Sequence, residues 1–212
     1  MSRSNQTRQA DVVASLLARH GTTYAEAAGI RLADKPAPLW QLLVLSLLLS
    51  ARIGADVAVA GARELFSAGY RTPRRMHEAS WQDRVDALGR GHYRRYDERT
   101  ATQLGEVASR VLDDYRGDLR RLPHHDAGEA ERALRRFTGI GPVGAAIFCR
   151  EAQAVWPALA PYVDDLVAEG AHRLGLPRTP RRLAALVSGD DLPRLAAACV
   201  RVARGEVHPD DV

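Results

Sequence analysis

The chain has 212 residues, 46% hydrophobic and 26% charged, a balance that excludes disordered and fibrous classes and is long enough to bury a real core. A net charge of +4 suits a polyanionic partner without requiring one. Two cysteines, Cys149 and Cys199, exclude a disulfide framework or a four-cysteine metal or cluster site within one chain and read as buried, reduced small hydrophobes. The apolar run 42–49 is too short to cross a bilayer, and no basic stretch followed by an apolar segment opens the chain, so no membrane association and a cytoplasmic location are expected. Lys35 is the only lysine; any mechanism that needs a lysine amine has this one candidate.

Periodicity is helical almost throughout, and no convincing strand pattern occurs, so an all-α fold is expected. Val12, Val13, Leu16 and Leu17 share one helix face, and Gly21 is placed to end that helix. Residues 39–50 (LWQLLVLSLLLS) are apolar on nearly every side, which makes this helix the expected hub of a bundle. Thr72 before Pro73, the pair Ser80 and Asp83, and Thr179 before Pro180 each signal the start of a short helix. Residues 96–115 form a longer helix with Leu104, Val107, Val111 and Leu112 inward and Arg99 and Arg110 on its exposed face. Residues 126–136 are helical again, TGIGPVG interrupts the pattern, and helix resumes over 145–156. His124 and His125 beside Asp126 read as a solvated loop that caps the next helix, since adjacent histidines without a second ligand pair make a weak metal site.

In that interruption, Gly139, Gly141 and Gly144 flank Ile140, Pro142 and Val143 between two helices. Such a turn exposes backbone N–H groups at a positive helix end and can hold a phosphate without reading base sequence. An ordinary helix–helix connection has the same pattern, and the glycines alone do not choose between the two.

The nine residues 137–145 (FTGIGPVGA) resemble the Leu-Pro-Gly-Val-Gly-x-Lys-Thr-Ala hairpin of the endonuclease III superfamily, the helix-hairpin-helix DNA glycosylases. Residues 45–56 (LSLLLSARIGAD) are similar to its Leu-Leu-Ser-Ala-Gln-Ala-Thr-Asp helix, and 96–102 (YDERTAT) to its Tyr-Asn-x-Lys-Ala segment. Trp156-Pro157, Val163-Asp164, Val167 and Arg173-Leu174-Gly175-Leu176 resemble its Val-Asp-Thr-His-Val stretch and the Arg-Leu-Gly-Leu that follows. The likeness spans residues 39–176. It implies a two-lobed helical fold with the active-site cleft between the lobes: a central lobe over 39–156 and a second lobe from 1–38 and 157–212.

By this resemblance Asp164 is the catalytic carboxylate. Breaking an N-glycosidic bond builds positive charge on the deoxyribose, which a fixed carboxylate stabilises while it orients or deprotonates water. Asp164 or Asp165 also suits the plain job of capping the helix that starts there. The bifunctional relatives carry a lysine where Val143 stands; valine forms no Schiff base, so water-mediated base removal without strand cleavage is implied. Leu166 replaces the family histidine, and the stretch from hairpin to aspartate is a few residues longer than usual. The superfamily's four-cysteine iron–sulfur cluster has no counterpart, as in its thymine-mismatch member with a methyl-CpG-binding domain, which also lacks the lysine and has arginine at the position of Arg52.

Arg52 corresponds to the side chain that fills the gap left by a flipped nucleotide; otherwise it is a surface arginine closing a helix. Residues 90–96 (RGHYRRY) place Tyr93, Arg94 and Arg95 where relatives wedge the duplex, a pattern that also fits a polar loop. Tyr162 and Asp165 either line the base pocket or serve the packing and capping around them. The hairpin's DNA-contacting set is Gly139, Ile140, Gly141, Val143 and Gly144, and its carbonyls hold a monovalent cation in this superfamily. The expectation is thus a monomeric, nucleoid-associated, monofunctional DNA glycosylase of base excision repair, with no metal or cofactor other than that cation. Its substrate would be duplex DNA bearing a lesion or mismatch, uracil or thymine opposite guanine first. The alternative is a DNA-binding protein that keeps the hairpin and has lost catalysis.

Overall fold

The structure, a computed structural model, describes the backbone of residues 3–212 and the side chains from Gln6 onward. The described residues form twelve α-helices: α1 (Arg3–His20), α2 (Tyr24–Ala27), α3 (Pro36–Leu49), α4 (Ala55–Ser67), α5 (Pro73–Glu78), α6 (Trp81–Arg90), α7 (Asp97–Tyr115), α8 (Ala127–Leu134), α9 (Pro142–Ala152), α10 (Asp165–Arg173), α11 (Pro180–Ala184) and α12 (Leu192–Ala203). Short 3-10 turns join them, and no strand occurs among the described residues. The fold is all-α, as the periodicity predicts. None of these helices is long and apolar enough to cross a membrane.

The chain divides into two compact units, one comprising Ala25–Leu159 and the other the described residues up to Tyr24 with Ala160–Val212. The boundaries therefore lie at 25 and 159, not at 39 and 156 as the sequence pattern drew them. Two long-range hydrogen bonds explain the difference. The Ala25 N–H donates to Glu151 Oε2 at 3.2 Å and the Trp156 indole N–H to Asp34 Oδ1 at 3.0 Å, so the polar stretch ahead of α3 is bound to the far end of the same unit.

In the Ala25–Leu159 unit α3 is the hub. Every residue from Leu39 to Leu49 is buried, and the helix packs on α4, α9 and the Leu119–Arg121 turn. Extended Lys35 and Pro36 at the first helical position start it, since proline's fixed φ and missing N–H cost nothing there. Ser50 closes it with a hydroxyl bond to the Leu47 carbonyl at 2.8 Å. Thr72 caps α5 through the Arg75 N–H, and Ser80 and Asp83 form the reciprocal capping box of α6, as predicted. Leu104, Val107 and Val111 of α7 are buried, whereas Leu112 is half-buried.

In the other unit, α10 and α12 cross at Gly170, where a Cβ would lie 1.8 Å from the Cys199 carbonyl oxygen. Only glycine permits this approach of one helix backbone to another. Gly21 ends α1, its N–H bonded to the Leu17 carbonyl at 3.2 Å. The carbonyls at this helix end, which lack intrahelical partners, receive arginines from α12: Arg194 Nε donates to Gly21 O at 3.2 Å and Arg201 Nη1 to His20 O at 2.9 Å. Thr179 precedes α11 without a side-chain capping bond.

Candidate functional site

The glycine-rich interruption is a built turn between α8 and α9. Gly139 has φ +81, the left-handed region that costs an L side chain about 1–2 kcal/mol. Buried Phe137 anchors the entry against Tyr115 of α7, ring centroids 5.8 Å apart. Gly141 is an extended N-cap without a side-chain capping bond, Pro142 follows, and the first bond of α9 runs from the Ala145 N–H to the Gly141 carbonyl at 3.0 Å. The N–H groups of Val143 and Gly144 thus precede the helical ladder, at the positive end of the helix. Gly141 is exposed with nothing within 4 Å of a Cβ placed on it, and Val143 is 61% exposed. Ile140 departs from its expected role as a DNA contact. Its side chain is buried and its N–H is held by the Phe137 carbonyl at 3.1 Å, so it plugs the turn from inside.

The C-terminal end of α3 lies against this turn, a Cβ on Gly144 meeting Ser50 Cβ at 3.4 Å. Arg52, exposed in the bend that follows, is thereby carried to the side of the hairpin. α7 supports the turn from behind. Gln103 packs on Gly139, 2.8 Å from where its Cβ would be, and Arg110 Nη1 donates to the Arg136 carbonyl at 2.7 Å while its Nε pairs with Asp114 Oδ2 at 3.0 Å. Burial pushes the Tyr115 phenol up. Sequence reasoning missed Gln103 and Arg110. Their seven-residue separation marks one helix face, but nothing in the pattern says which helix underlies the hairpin.

The loop after α6 corrects the reading of Tyr93. This ring is wholly buried, and burial raises its phenol pKa beside Thr100, so it offers no face to a base. It packs on Gly61 of α4, where a Cβ would be 3.2 Å from Tyr93 Cβ, while Gly91 touches the Gly61 backbone directly. Tyr93 is therefore the anchor of the loop, and its neighbours Arg94 and Arg95 are exposed. The more accessible aromatic of this segment is Tyr96, half-buried at the start of α7, with the guanidinium groups of Arg95 and Arg99 at 5.3 and 5.4 Å from its ring centroid.

In the second unit Asp164 is the N-cap of α10, its Oδ1 accepting the Val167 N–H at 2.9 Å. The carboxylate is thus fixed in direction and half-buried. Asp165 and Leu166, in the first turn, are exposed, and Tyr162 is buried. Lys35 is an exposed residue at the start of α3; Met1, whose terminal amine is the other candidate nucleophile, lies outside the described residues. Both cysteines are free and buried, their thiols pushed up to about 12 by desolvation.

Two carbonyls at the entry to the hairpin already have donors. The Arg136 carbonyl that enters the turn already receives a guanidinium, and the Phe137 carbonyl receives the Ile140 N–H. Asp126 caps α8 through the Glu129 N–H, as read from the sequence, whereas His124 is not a solvated loop residue: it is half-buried, stacks on Trp156 at 4.1 Å and bonds the Leu122 carbonyl. No cluster of three or more metal-ligating side chains occurs among the described residues.

No known family model and no curated protein matches the sequence. Solved structures do match in fold. A trapped endonuclease III–DNA covalent intermediate, an estranged-adenine complex, superposes with a TM-score of 0.55 at 16% identity over 95% of this chain and 85% of its own. A non-covalent endonuclease III–DNA complex gives 0.55 at 15% over 95% and 86%. A thermostable thymine-DNA glycosylase gives 0.56 at 16% over 95% and 88%. Set beside the Gly139–Gly144 turn and the helices on either side of it, these likenesses show that the chain has the all-helical, helix-hairpin-helix fold of the endonuclease III and thymine-DNA glycosylase structures.

Proposed function

We propose that this protein is a monofunctional DNA glycosylase that excises a damaged or mismatched base from duplex DNA. The observation that carries the reading is the hairpin: an exposed α9 N-terminus with N–H groups ahead of its ladder and exposed Val143 at the position where lyase relatives place their amine. The N–H groups at the α9 N-terminus and Arg52 hold the phosphate backbone, and Arg52 takes the place vacated by the flipped nucleotide. Asp164 faces the sugar. As the C1′–N bond breaks, the base leaves with the bonding electrons and takes up a proton from solvent, to which the carboxylate afterwards returns the one it has gained. The carboxylate stabilises the positive charge left on the ring and accepts a proton from the water that attacks C1′. The product is an intact strand with an abasic site.

Uracil or thymine opposite guanine is the proposed substrate, supported by the thymine-DNA glycosylase among the similar folds and by Arg52. A monomer is proposed, and one without an iron–sulfur cluster, since two buried, free cysteines do not supply four thiolates. A second reading, DNA binding without catalysis, is favoured by one observation: Asp164 already has a structural task as a cap.

Duplexes each carrying one lesion or mismatch, incubated with the protein and then with or without alkali, decide between these. Excision of uracil or thymine opposite guanine, with breaks only after alkali and no borohydride adduct, is expected. Inactivity on every duplex supports the binding-only reading. Robust borohydride trapping, abolished by Lys35→Ala, overturns the water mechanism.

A further inference from the structure

Tyr96, Arg99 and Gln103 follow one another at spacings of three and four, so they share one face of α7. The Arg99 guanidinium lies 5.4 Å from the Tyr96 ring centroid and is in no ion pair among the described residues. Arg95 reaches the same ring from the loop, at 5.3 Å. A guanidinium stacked on a ring keeps its N–H edge for an acceptor. Gln103, one turn on, packs against Gly139, its amide carbon 2.8 Å from where a Cβ would be. This side chain is half-buried, and its amide makes no hydrogen bond among the described residues. The nearby carboxylates stand elsewhere. Asp97 bonds the Glu98 N–H, Glu98 adjoins Arg99 in sequence and so turns to another face, and Glu106 continues the face only a turn beyond Gln103.

We infer that this face of α7 is a track for one strand of the DNA backbone, joining the arginine loop to the hairpin: Arg99 pairs with a phosphate, and the Gln103 NH2 group donates to the phosphate next to the one held at α9. The inference rests on the reading of the hairpin as a phosphate-binding element. Seven helical steps separate Tyr96 from Gln103, about 10 Å. A B-DNA strand carries one phosphate per about 3.4 Å of its axis, so a strand laid along this stretch passes about three of them. Between Tyr96 and Gln103 the face offers guanidinium and amide donors and no carboxylate, which suits a polyanion held by its phosphates rather than by its bases.

Binding of the whole chain to a labelled duplex without a lesion is followed by fluorescence anisotropy in a potassium chloride titration, so that catalysis plays no part. Arg99→Ala should flatten the slope of log K against log salt by about 0.9. Arg116→Ala, which removes a likewise exposed arginine from the other end of α7, should leave it unchanged. Gln103→Met should weaken binding by about tenfold at constant slope, since an amide displaces no counterion. Gln103→Arg should bind at least as tightly as the native protein with a slope steeper by about 0.9, a gain that a side chain serving only to support Gly139 would not give.

An Arg99→Ala variant with the native slope overturns the inference; Arg99 is exposed, so the substitution leaves the core intact. So does a Gln103→Arg variant with the native slope, or equal flattening in Arg99→Ala and Arg116→Ala, which would make net charge the cause. Gly141→Glu, measured in parallel, separates the two ideas: undiminished binding removes the hairpin reading and the track with it. A loss of binding in Gly141→Glu together with the native slope in Arg99→Ala removes the track alone.

Discussion

Asp164 has an observed task as a cap and a proposed one in catalysis, and one substitution separates them. Its Oδ1 accepts the Val167 N–H at 2.9 Å, a capping bond whose loss typically costs about 1 kcal/mol. Asparagine keeps the acceptor and removes the charge; alanine removes both. If the carboxylate stabilises the sugar cation, Asp164→Asn should retain the native Tm while excision falls by about two to three orders of magnitude, the usual scale for a charge aimed at a transition state. Asp164→Ala should show the same loss of rate plus a lower Tm. Exposed Asp165 makes no capping bond, and Asp165→Asn should excise almost normally. Equal effects of Asp164→Asn and Asp165→Asn on excision, in a panel measured on one duplex, would remove Asp164 from the chemistry and leave it as a cap. The cap is legible in the pattern, an aspartate before an amphipathic run, whereas the catalytic role rests on the resemblance of the Val163-Asp164 stretch to the family's. Tyr93 was not legible in the same way. Between arginines its ring reads as exposed, and only the contact of Gly91 with Gly61, brought about by the crossing of α4 and α6, draws it into the core.

At the scale of elements, the glycines divide by what surrounds them, and three alanine substitutions should rank accordingly. Gly170→Ala places a Cβ 1.8 Å from the Cys199 carbonyl oxygen; helix backbone cannot yield as a side chain does, so α10 and α12 must separate, at the upper end of overpacking costs, about 3 kcal/mol. Gly139→Ala meets only the end of Gln103 at 2.8 Å, which can swing aside, and retains the left-handed strain of about 1–2 kcal/mol. Gly141→Ala has φ −89 and open space and should be neutral. Urea denaturation followed by circular dichroism checks the order; a Gly141→Ala variant less stable than Gly170→Ala would contradict the packing described. The sequence marks the hairpin glycines because they interrupt a helical pattern. Gly170 sits inside α10 and interrupts nothing, since its purpose is set by a helix some thirty residues away. Helix starts were legible where capping is local, as in the Ser80–Asp83 box. Unit boundaries were not, because they depend on bonds such as Trp156 to Asp34 that link distant parts of the chain.

For the whole molecule, affinity for DNA should follow where arginines are left open rather than net charge. Several surface arginines are already matched to carboxylates, Arg120 to Asp118 at 2.7 Å and Arg204 to Glu206 at 2.9 Å among them. Arg94 and Arg95, on the loop anchored by Tyr93, are exposed and in no ion pair among the described residues. Replacing either pair by alanine removes two positive charges from the same net +4, so a protein that bound DNA through overall charge would respond equally to both. Exposed ion pairs contribute about 0–1 kcal/mol each, and both double variants should fold. Each arginine that contacts a phosphate displaces condensed counterions and adds about 0.9 to the magnitude of the slope of log K against log salt. Arg94→Ala with Arg95→Ala should therefore flatten that slope by about 2 and weaken binding most at low salt, whereas Arg120→Ala with Arg204→Ala should leave it unchanged. The measurement is a potassium chloride titration of duplex binding for the three proteins side by side. Slopes that shift equally in both double variants would show that the loop is an ordinary polar connection and that binding is set by net charge. An effect confined to Arg94 and Arg95 would place the loop beside the hairpin as a second, independent hold on the phosphate backbone.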